Sequence, residues 1–346
     1  MSKKRGEIIR KFLLENTPAH SRDLAAFAGE HFQITRPATL KHIRKLLDYG
    51  LLKTKGTNRN RRYFLCPIVD MEWNYLLANV EGEDWLWHQD LLPLLSELPQ
   101  NVLNILQHCF TEMFNNAIDH SGGSGAHVHL TVDALNTEIV LSDNGEGIFT
   151  KIQREMSLLD ERHAVLELSK GKLTTDPFRH TGVGIFFSSR LVDTFTILSG
   201  GVYFSHEHLT DIDWIAERGK FETGTCVFME IRNDSPRIAK DIFDQYSPEE
   251  NDYAFTKTVV PVRLAQYGDE LLVSRSQAKR LLVRVDRFRT VIFDFTDVEN
   301  IGQAFADEVF RVFQNDHPEI ELASIKMSTN VEKMINRVLQ PGSLAK

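Results

Sequence analysis

The chain has 346 residues, 42% of them hydrophobic and 25% charged, which is typical of a folded protein and excludes disordered and collagen-like classes. No apolar run approaches the roughly 18 residues that a membrane span needs, so we expect no membrane partner and a cytoplasmic location. The three cysteines, Cys66, Cys109 and Cys226, are widely spaced and are expected to be reduced thiols in that compartment.

The net charge of −8 is unevenly distributed along the chain. Residues 1–66 contain 15 Lys and Arg against 5 Asp and Glu, so this segment carries a formal charge of +10 and the remainder carries −18. A small basic segment joined to an acidic body indicates that the basic segment meets a polyanion and that the body does not.

The pattern of residues 1–66 predicts three helices followed by a β-hairpin. Thr35 is a suitable N-cap for the third helix, and Pro37 lies in its first turn. The apolar residues of that helix, at Leu40, Ile43, Leu46 and Leu47, share its inward face. The stretch 34–65 resembles a winged helix-turn-helix domain, a resemblance that implies double-stranded DNA as a partner.

The resemblance places candidate DNA contacts on one surface of this segment. The outward side of the third helix carries Thr39, Lys41, His42, Arg44 and Lys45, and the wing carries Arg59, Arg61 and Arg62. The side chains of the helix are candidates to contact base edges, and the wing arginines are candidates to contact phosphates. The alternative is a winged helix used for protein contacts or dimerisation, with solvated charges.

Residues 67–98 are predicted to be a helical connector, residues 99–232 a second domain, and residues 256–338 a third. The third domain alternates strands and helices, and it resembles a STAS-like domain around the strand at 291–298. STAS antagonists of anti-sigma factors have a phosphorylatable serine at the start of the next helix, but residues 300–307 contain no hydroxyl residue. The resemblance therefore implies a docking domain, which contacts the second domain or another copy of the chain.

The second domain contains a helix with polar residues spaced by four. Glu112, Asn116 and His120 share one face of this helix, away from its apolar stripe. A carboxylate, an amide oxygen and an imidazole in that arrangement could order water and a hydrated Mg²⁺ ion.

Three further motifs follow in the second domain. Asp143 comes directly after a strand, with Gly145 and Gly147 behind it, and a strand-end carboxylate can accept the amine of a base. A Thr-Gly-Val-Gly run opens a later helix, whose exposed amides would bind phosphate; it comprises Thr181, Gly182, Val183 and Gly184. Thr225 leads into the last strand.

In this order, the four motifs resemble the nucleotide-binding boxes of the GHKL superfamily, which includes gyrase and the histidine kinases. The short spacing between the motifs looks most like that of the anti-sigma-factor serine kinases. The resemblance implies an α/β sandwich, with a mixed sheet and helices on one face, that binds ATP and Mg²⁺.

The resemblance also implies roles for individual residues. Glu112 would be the general base, Asn116 the Mg²⁺ ligand, and His120 a further contact to ATP. Asp143 would accept the adenine amine with help from Thr225, beside Gly145 and Gly147. Residues 181–184 would hold the phosphates. Residues 149–179 would form a lid, whose candidates for the terminal phosphates are Lys170, Lys172 and Arg179.

The sequence thus predicts a multi-domain α/β protein that acts as an ATP-responsive DNA-binding regulator, in which nucleotide controls the arrangement of domains or protomers. One alternative is a protein serine/threonine kinase acting on a partner in trans. The other is a nucleotide-bound interaction module of a stress or phage-defence assembly. The chain has no transducer domain like that of gyrase, so an enzyme would be a weak ATPase or a protein kinase.

Overall fold

The computed structural model describes residues 2–57, 60–173, 182–210, 212–217, 223–246, 255–266 and 270–340. These residues form three parts, which we call the N-terminal unit (2–66), the central unit (69–246) and the C-terminal unit (255–340). The central and C-terminal units share one apolar core, whereas the N-terminal unit has its own. No helix within the described ranges combines the length and the hydropathy of a membrane span.

The N-terminal unit consists of three helices and an antiparallel hairpin, which confirms the predicted order of elements. They are α1 (Ser2–Asn16), α2 (Leu24–Phe32), α3 (Arg36–Asp48), β1 (Leu52–Lys55) and β2 (Arg62–Leu65). Thr35 precedes α3 in an extended conformation, and Pro37 lies in the first turn, where its missing amide costs no helical hydrogen bond. Leu13, Leu24 and Ile43 are fully buried where the three helices meet.

Residues 67–98 begin with a strand, so the prediction of a helical connector is wrong for this part. Strand β3 (Val69–Leu76) pairs with β4 (Gly125–Val132) and forms one edge of the large sheet. Its residues Val69, Trp73 and Tyr75 pack on the core from one face. They are separated by multiples of two, which is the period of side chains on one face of a strand. The helical part follows as α4 (Glu83–Leu86), a π-helical turn (Trp87–Leu91) and α5 (Leu92–Leu95).

The large sheet of the central unit has seven strands in the order β3-β4-β5-β9-β6-β7-β8. Its remaining strands are β5 (Asn136–Asp143), β6 (Thr194–Ser199), β7 (Val202–Glu207), β8 (Ile212–Glu217) and β9 (Thr225–Arg232). Every pairing among these described strands is antiparallel, whereas the sequence predicted a mixed sheet. The helical connection from β5 to β6 does make these two strands parallel to each other, but β9 lies between them and pairs with both.

Helices cover one face of this sheet, as the sequence predicted. They are α6 (Gln100–His120), α7 (Ile148–Glu155), α8 (Glu161–Lys170), α9 (Gly184–Leu191) and α10 (Ala239–Tyr246). The apolar stripe of α6, which includes Leu106 and Phe110, is buried where the helix packs against α9 and β5. On the strands beneath, alternate residues such as Ile139 and Ile197 are fully buried.

The C-terminal unit is a parallel sheet of three strands with helices between them, which confirms the predicted alternation. Its elements are β10 (Lys257–Pro261), α11 (Arg275–Leu282), β11 (Thr290–Asp294), α12 (Gln303–Asp307), α13 (Gln314–Asp316), β12 (Glu321–Ile325) and α14 (Thr329–Leu339). Strand β10 and the 3₁₀ turn that follows it pack against α8, which also contacts β7 and β8. Helix α8 therefore lies between the two sheets.

Candidate functional site

One face of α6 forms a wall of a cavity of about 260 Å³ in the central unit. Glu112, Asn116 and His120 all line this cavity, each one helical turn after the previous residue. The helix presents them there because Phe110 and Phe114, which are fully buried, fix it in the core. The structure therefore brings together the three residues that the sequence placed on this face.

Asp143 lies at the floor of the cavity, at the end of β5. Its carboxylate accepts a hydrogen bond from the Gly145 amide (2.8 Å), and the nearby amide and hydroxyl of Thr225 also favour its charged form. Burial raises the pKa of Asp143 above its ordinary value, and these donors only partly oppose the effect. Thr225 is held in turn by the Ile148 amide, which donates to its Oγ1 atom at 3.0 Å. Asp143 and Thr225 thus form one network.

Two predicted glycines occupy positions that need a glycine. Gly147 has a φ of 93°, and a Cβ on it would come 2.7 Å from the hydroxyl of Ser199. A Cβ on Gly184 would overlap Oε2 of Glu112, so α9 begins in contact with α6 only because this residue has no side chain. The carboxylate of Glu112 therefore lies at the start of α9.

The predicted phosphate-binding residues lie at the same end of the cavity. Gly182 and Gly184 line it, and Val183 is the N-cap residue of α9. The first amides of a helix have no partner within the helix and carry a partial positive charge, so this end can receive an anion. Thr181 and Arg179 lie outside the described residues.

The two described lysines predicted for the terminal phosphates point elsewhere. The Lys170 amine is buried and bonds to Glu167 Oε1 (2.5 Å) and the Val283 carbonyl (2.8 Å). The Lys172 amine donates to the Arg287 carbonyl at 2.8 Å, and Lys172 does not line the cavity. Both amines are directed at the C-terminal unit.

Sequence reasoning missed one lysine that does line the cavity. Lys151 lies on α7, one turn after Gly147, and its amine donates to the His120 carbonyl at 2.8 Å. Its position four residues after the second glycine of the Asp143 motif could have indicated it, because residues at this spacing share one side of a helix. The rest of the lining is mostly apolar and includes Leu141, Ile152, Leu168, Ile197 and Val227.

The predicted DNA contacts of the N-terminal unit are only partly at its surface. Lys41, Arg44, Lys45, Arg61 and Arg62 are exposed, and Arg59 lies outside the described residues.

Two predicted contacts on α3 are less accessible. The prediction that Thr39 faces outward is wrong: it is 0% exposed and packs against Gly29 of α2. His42 is partly buried, and its pKa is lowered first by burial and then by Arg10, Lys45 and Lys41.

Comparisons with known families agree with this geometry. Residues 101–235 match the family described as Histidine kinase-, DNA gyrase B-, and HSP90-like ATPase, and residues 277–332 match a STAS-like domain of unknown function. The chain therefore contains a GHKL-type ATPase domain and a STAS-like domain, as the sequence predicted, and the ATPase domain implies nucleotide binding. Neither match reaches the N-terminal unit, and no curated protein matches the chain.

The cavity also has donors that suit the magnesium ion such domains use. Asn116 supplies an amide oxygen for the ion, and one turn away on the cavity wall the carboxylate of Glu112 can hold a water of its hydration shell. Mg²⁺ takes few oxygen ligands from protein and keeps water or phosphate oxygens for the others. Among the described residues, no group of three or more His, Cys, Asp and Glu side chains is placed to hold a metal. The ion, when bound, would neutralise phosphate charge.

We expect Asp143→Asn to weaken ATP binding by at least about fivefold. The carboxylate accepts from the Gly145 amide, and an amide side chain has one acceptor oxygen instead of two for that donor and the adenine amine, which costs about 1–3 kcal/mol. Calorimetry with Mg²⁺-ATP measures the change. Asp119→Asn, an exposed substitution on the same helix as Asn116, is the matched control and should bind like the parent. Equal affinities of all three proteins would remove Asp143 from the site.

The raised pKa of Asp143 predicts that, without nucleotide, the difference in stability between the parent and Asp143→Asn depends on pH. The folded protein holds this proton more tightly than the unfolded chain, so the contribution of Asp143 is present below pH 3.8 and is lost as the pH rises through the raised value. The melting temperature of the parent should therefore fall relative to that of Asp143→Asn over this range. If the melting temperatures of the two proteins changed with pH in the same way, the raised pKa of Asp143 would be contradicted.

Proposed function

We propose that the protein is an ATP-responsive DNA-binding regulator, in which nucleotide bound in the cavity controls how the N-terminal unit is presented to DNA. The observation that carries the proposal is the path of two strands. Strand β5 ends at Asp143 and β9 begins at Thr225, both in the cavity, and at the opposite ends of the two strands Leu135 and Arg232 contact the N-terminal unit. A nucleotide that contacts these two strands in the cavity therefore acts on the same strands that contact the N-terminal unit.

The contact between the N-terminal and central units is specific. Leu135, in the turn before β5, is part of the apolar core of the N-terminal unit. Two ion pairs flank it: Lys11 Nζ lies 2.9 Å from Asp234 Oδ2, and Arg232 Nη2 lies 3.5 Å from Glu15 Oε1. The apolar contact stabilises this arrangement of the two units, and the exposed ion pairs add orientation more than stability.

The surface chemistry of the N-terminal unit supports DNA as its partner. Its three helices and hairpin have the order of a winged helix, in which a helix enters the major groove and the hairpin follows the backbone. Exposed cations lie on both elements, at Lys41, Arg44 and Lys45 on α3 and at Arg61 and Arg62 on the hairpin. The pKa of His42 is lowered first by burial and then by Arg10, Lys45 and Lys41, so positive charge surrounds this part of α3.

Nucleotide would act by shifting a population of arrangements. ATP that binds one arrangement of the units or protomers more tightly than another favours that arrangement, to the extent of the difference in affinity. A second copy bound to DNA would amplify the effect, because the distance between two winged helices sets which half-site spacing they fit.

A protein serine/threonine kinase acting in trans is the second candidate, and the position of Glu112 favours it. The carboxylate lies at the start of α9, where the terminal phosphates are expected. A base at that position could orient a water or the hydroxyl of a partner protein for attack on the γ-phosphate.

The role of Glu112 can be separated from that of Asn116 by substitution. Glu112→Gln should leave Mg²⁺-ATP binding intact and lower any turnover by at least about 100-fold, because it removes a base and keeps the shape. Asn116→Ala should weaken only the magnesium-dependent part of binding. Calorimetry with and without Mg²⁺ and phosphate-release assays measure these effects. A Glu112→Gln protein with the parent's turnover would exclude Glu112 as the base.

The full chain should bind duplex DNA with an affinity that falls steeply with salt. Replacing Lys41, Arg61 and Arg62 with Gln should lower the slope of log affinity against log salt by about one unit for each lost phosphate contact. Lys333 and Arg337, exposed on α14 of the C-terminal unit, provide matched control substitutions that should leave the slope unchanged. Absence of binding to any duplex at low salt would contradict the regulator proposal.

A further inference from the structure

A short segment of the central unit joins α8 to the cavity and is held by the C-terminal unit. We call residues 170–173 the link segment. The Thr258 hydroxyl donates to the Lys170 carbonyl at 2.7 Å, and the Lys170 amine donates to the Val283 carbonyl at 2.8 Å. Both Lys170 and Thr258 are buried. The start of the link segment is therefore fixed on both its main chain and its side chain.

Arg284 holds the middle of the link segment. Its Nη2 atom donates to the Lys172 carbonyl at 2.5 Å, and its Nη1 atom lies 3.0 Å from the Met156 sulfur, just after α7. Arg284 itself has a φ of 60°, a left-handed conformation that is uncommon outside glycine. One side chain of the C-terminal unit thus reaches both the end of α7 and the main chain beyond α8.

The end of the link segment belongs to the cavity. The Leu173 amide donates to the Gly182 carbonyl at 2.9 Å, and both residues line the cavity next to the start of α9. The Arg284 guanidinium is thus connected to the end of the cavity expected to hold phosphates through Leu173 and its hydrogen bond to Gly182.

We propose that Arg284 is a positioning residue of the nucleotide site, through which the STAS-like domain sets the affinity for the phosphates of a nucleoside triphosphate. By fixing the Lys172 carbonyl, Arg284 keeps Leu173 and Gly182 in the arrangement that receives phosphate. Without Arg284, this main chain must be ordered when the nucleotide binds, and the lost conformational entropy lowers the affinity. The inference rests on the proposed nucleotide site.

The coupling works in both directions. If Arg284 favours phosphate binding, then bound nucleotide favours the contact of Arg284 with the link segment by the same factor. The STAS-like domain would therefore be held more firmly when nucleotide is bound, and a partner that displaces it would lower nucleotide affinity.

Loss of Arg284 alone should leave the two units docked. Phe255 of the C-terminal unit packs against Phe186 and Phe187 of α9, with ring centroids 4.9 and 5.3 Å apart, and the Lys170 contacts do not involve Arg284. The effect of Arg284→Ala should therefore be local.

The test compares ligands with and without phosphates on the full chain. Arg284→Ala should bind Mg²⁺ with the ATP analogue AMPPNP at least about fivefold more weakly than the parent. Its affinity for adenosine should be unchanged, because the adenine end of the cavity does not depend on the link segment. Arg284→Lys should recover part of the loss, since a lysine can still donate one hydrogen bond to the Lys172 carbonyl.

Arg287→Ala is the matched control, because Arg287 is an exposed arginine of the same turn and its main-chain carbonyl, which accepts from the Lys172 amine, is kept in the variant. It should bind both ligands like the parent. Parent-like AMPPNP affinity in Arg284→Ala, or an equal loss of AMPPNP and adenosine, would overturn the inference while leaving the nucleotide site in place. A parent chain that binds neither ligand would overturn the nucleotide site as well.

Discussion

Strand β9 lies between β5 and β6, and the cavity is built around this position. It places Thr225, the first residue of β9, beside Asp143, the last residue of β5, where the amide and hydroxyl of Thr225 both favour the charged carboxylate. A buried carboxylate is tolerated only with such donors, so the pairing of the two strands and the acceptor at the cavity floor depend on each other. The connection from β5 to β6 must then cross the face of β9, and its helices α7, α8 and α9 supply the other wall.

The STAS-like domain stabilises α8, one of the helices that form this wall, by contacts from outside the ATPase domain. Helix α8 carries the buried pair of Lys170 and Glu167, each 1% exposed, and the Val283 carbonyl of the C-terminal unit supplies a further acceptor for the lysine. Removing one partner from such a buried group leaves an uncompensated charge or donor, which costs several kcal/mol. The two domains share one apolar core, and a change in how they dock would be felt at the start of α9.

Local spacing was sufficient to predict much of the site, whereas long-range contacts were not predictable. Glu112, Asn116 and His120 share a helix face by spacing alone, and the structure places them together in the cavity. Thr39 was predicted to face outward, but α2 approaches α3 closely at Gly29 and covers it. Nothing in the sequence near Lys172 indicates the Arg287 carbonyl, 115 residues away, that receives its amine.

The effect of nucleotide on DNA affinity tests the central claim most directly. Binding of the full chain to a duplex at fixed salt would be measured with and without Mg²⁺-AMPPNP, for the parent and for Asp143→Asn. The account predicts that the analogue changes the DNA affinity of the parent by about fivefold or more, the usual range of coupling between sites, and leaves that of the variant unchanged. An identical DNA affinity of the parent with and without bound analogue would contradict it.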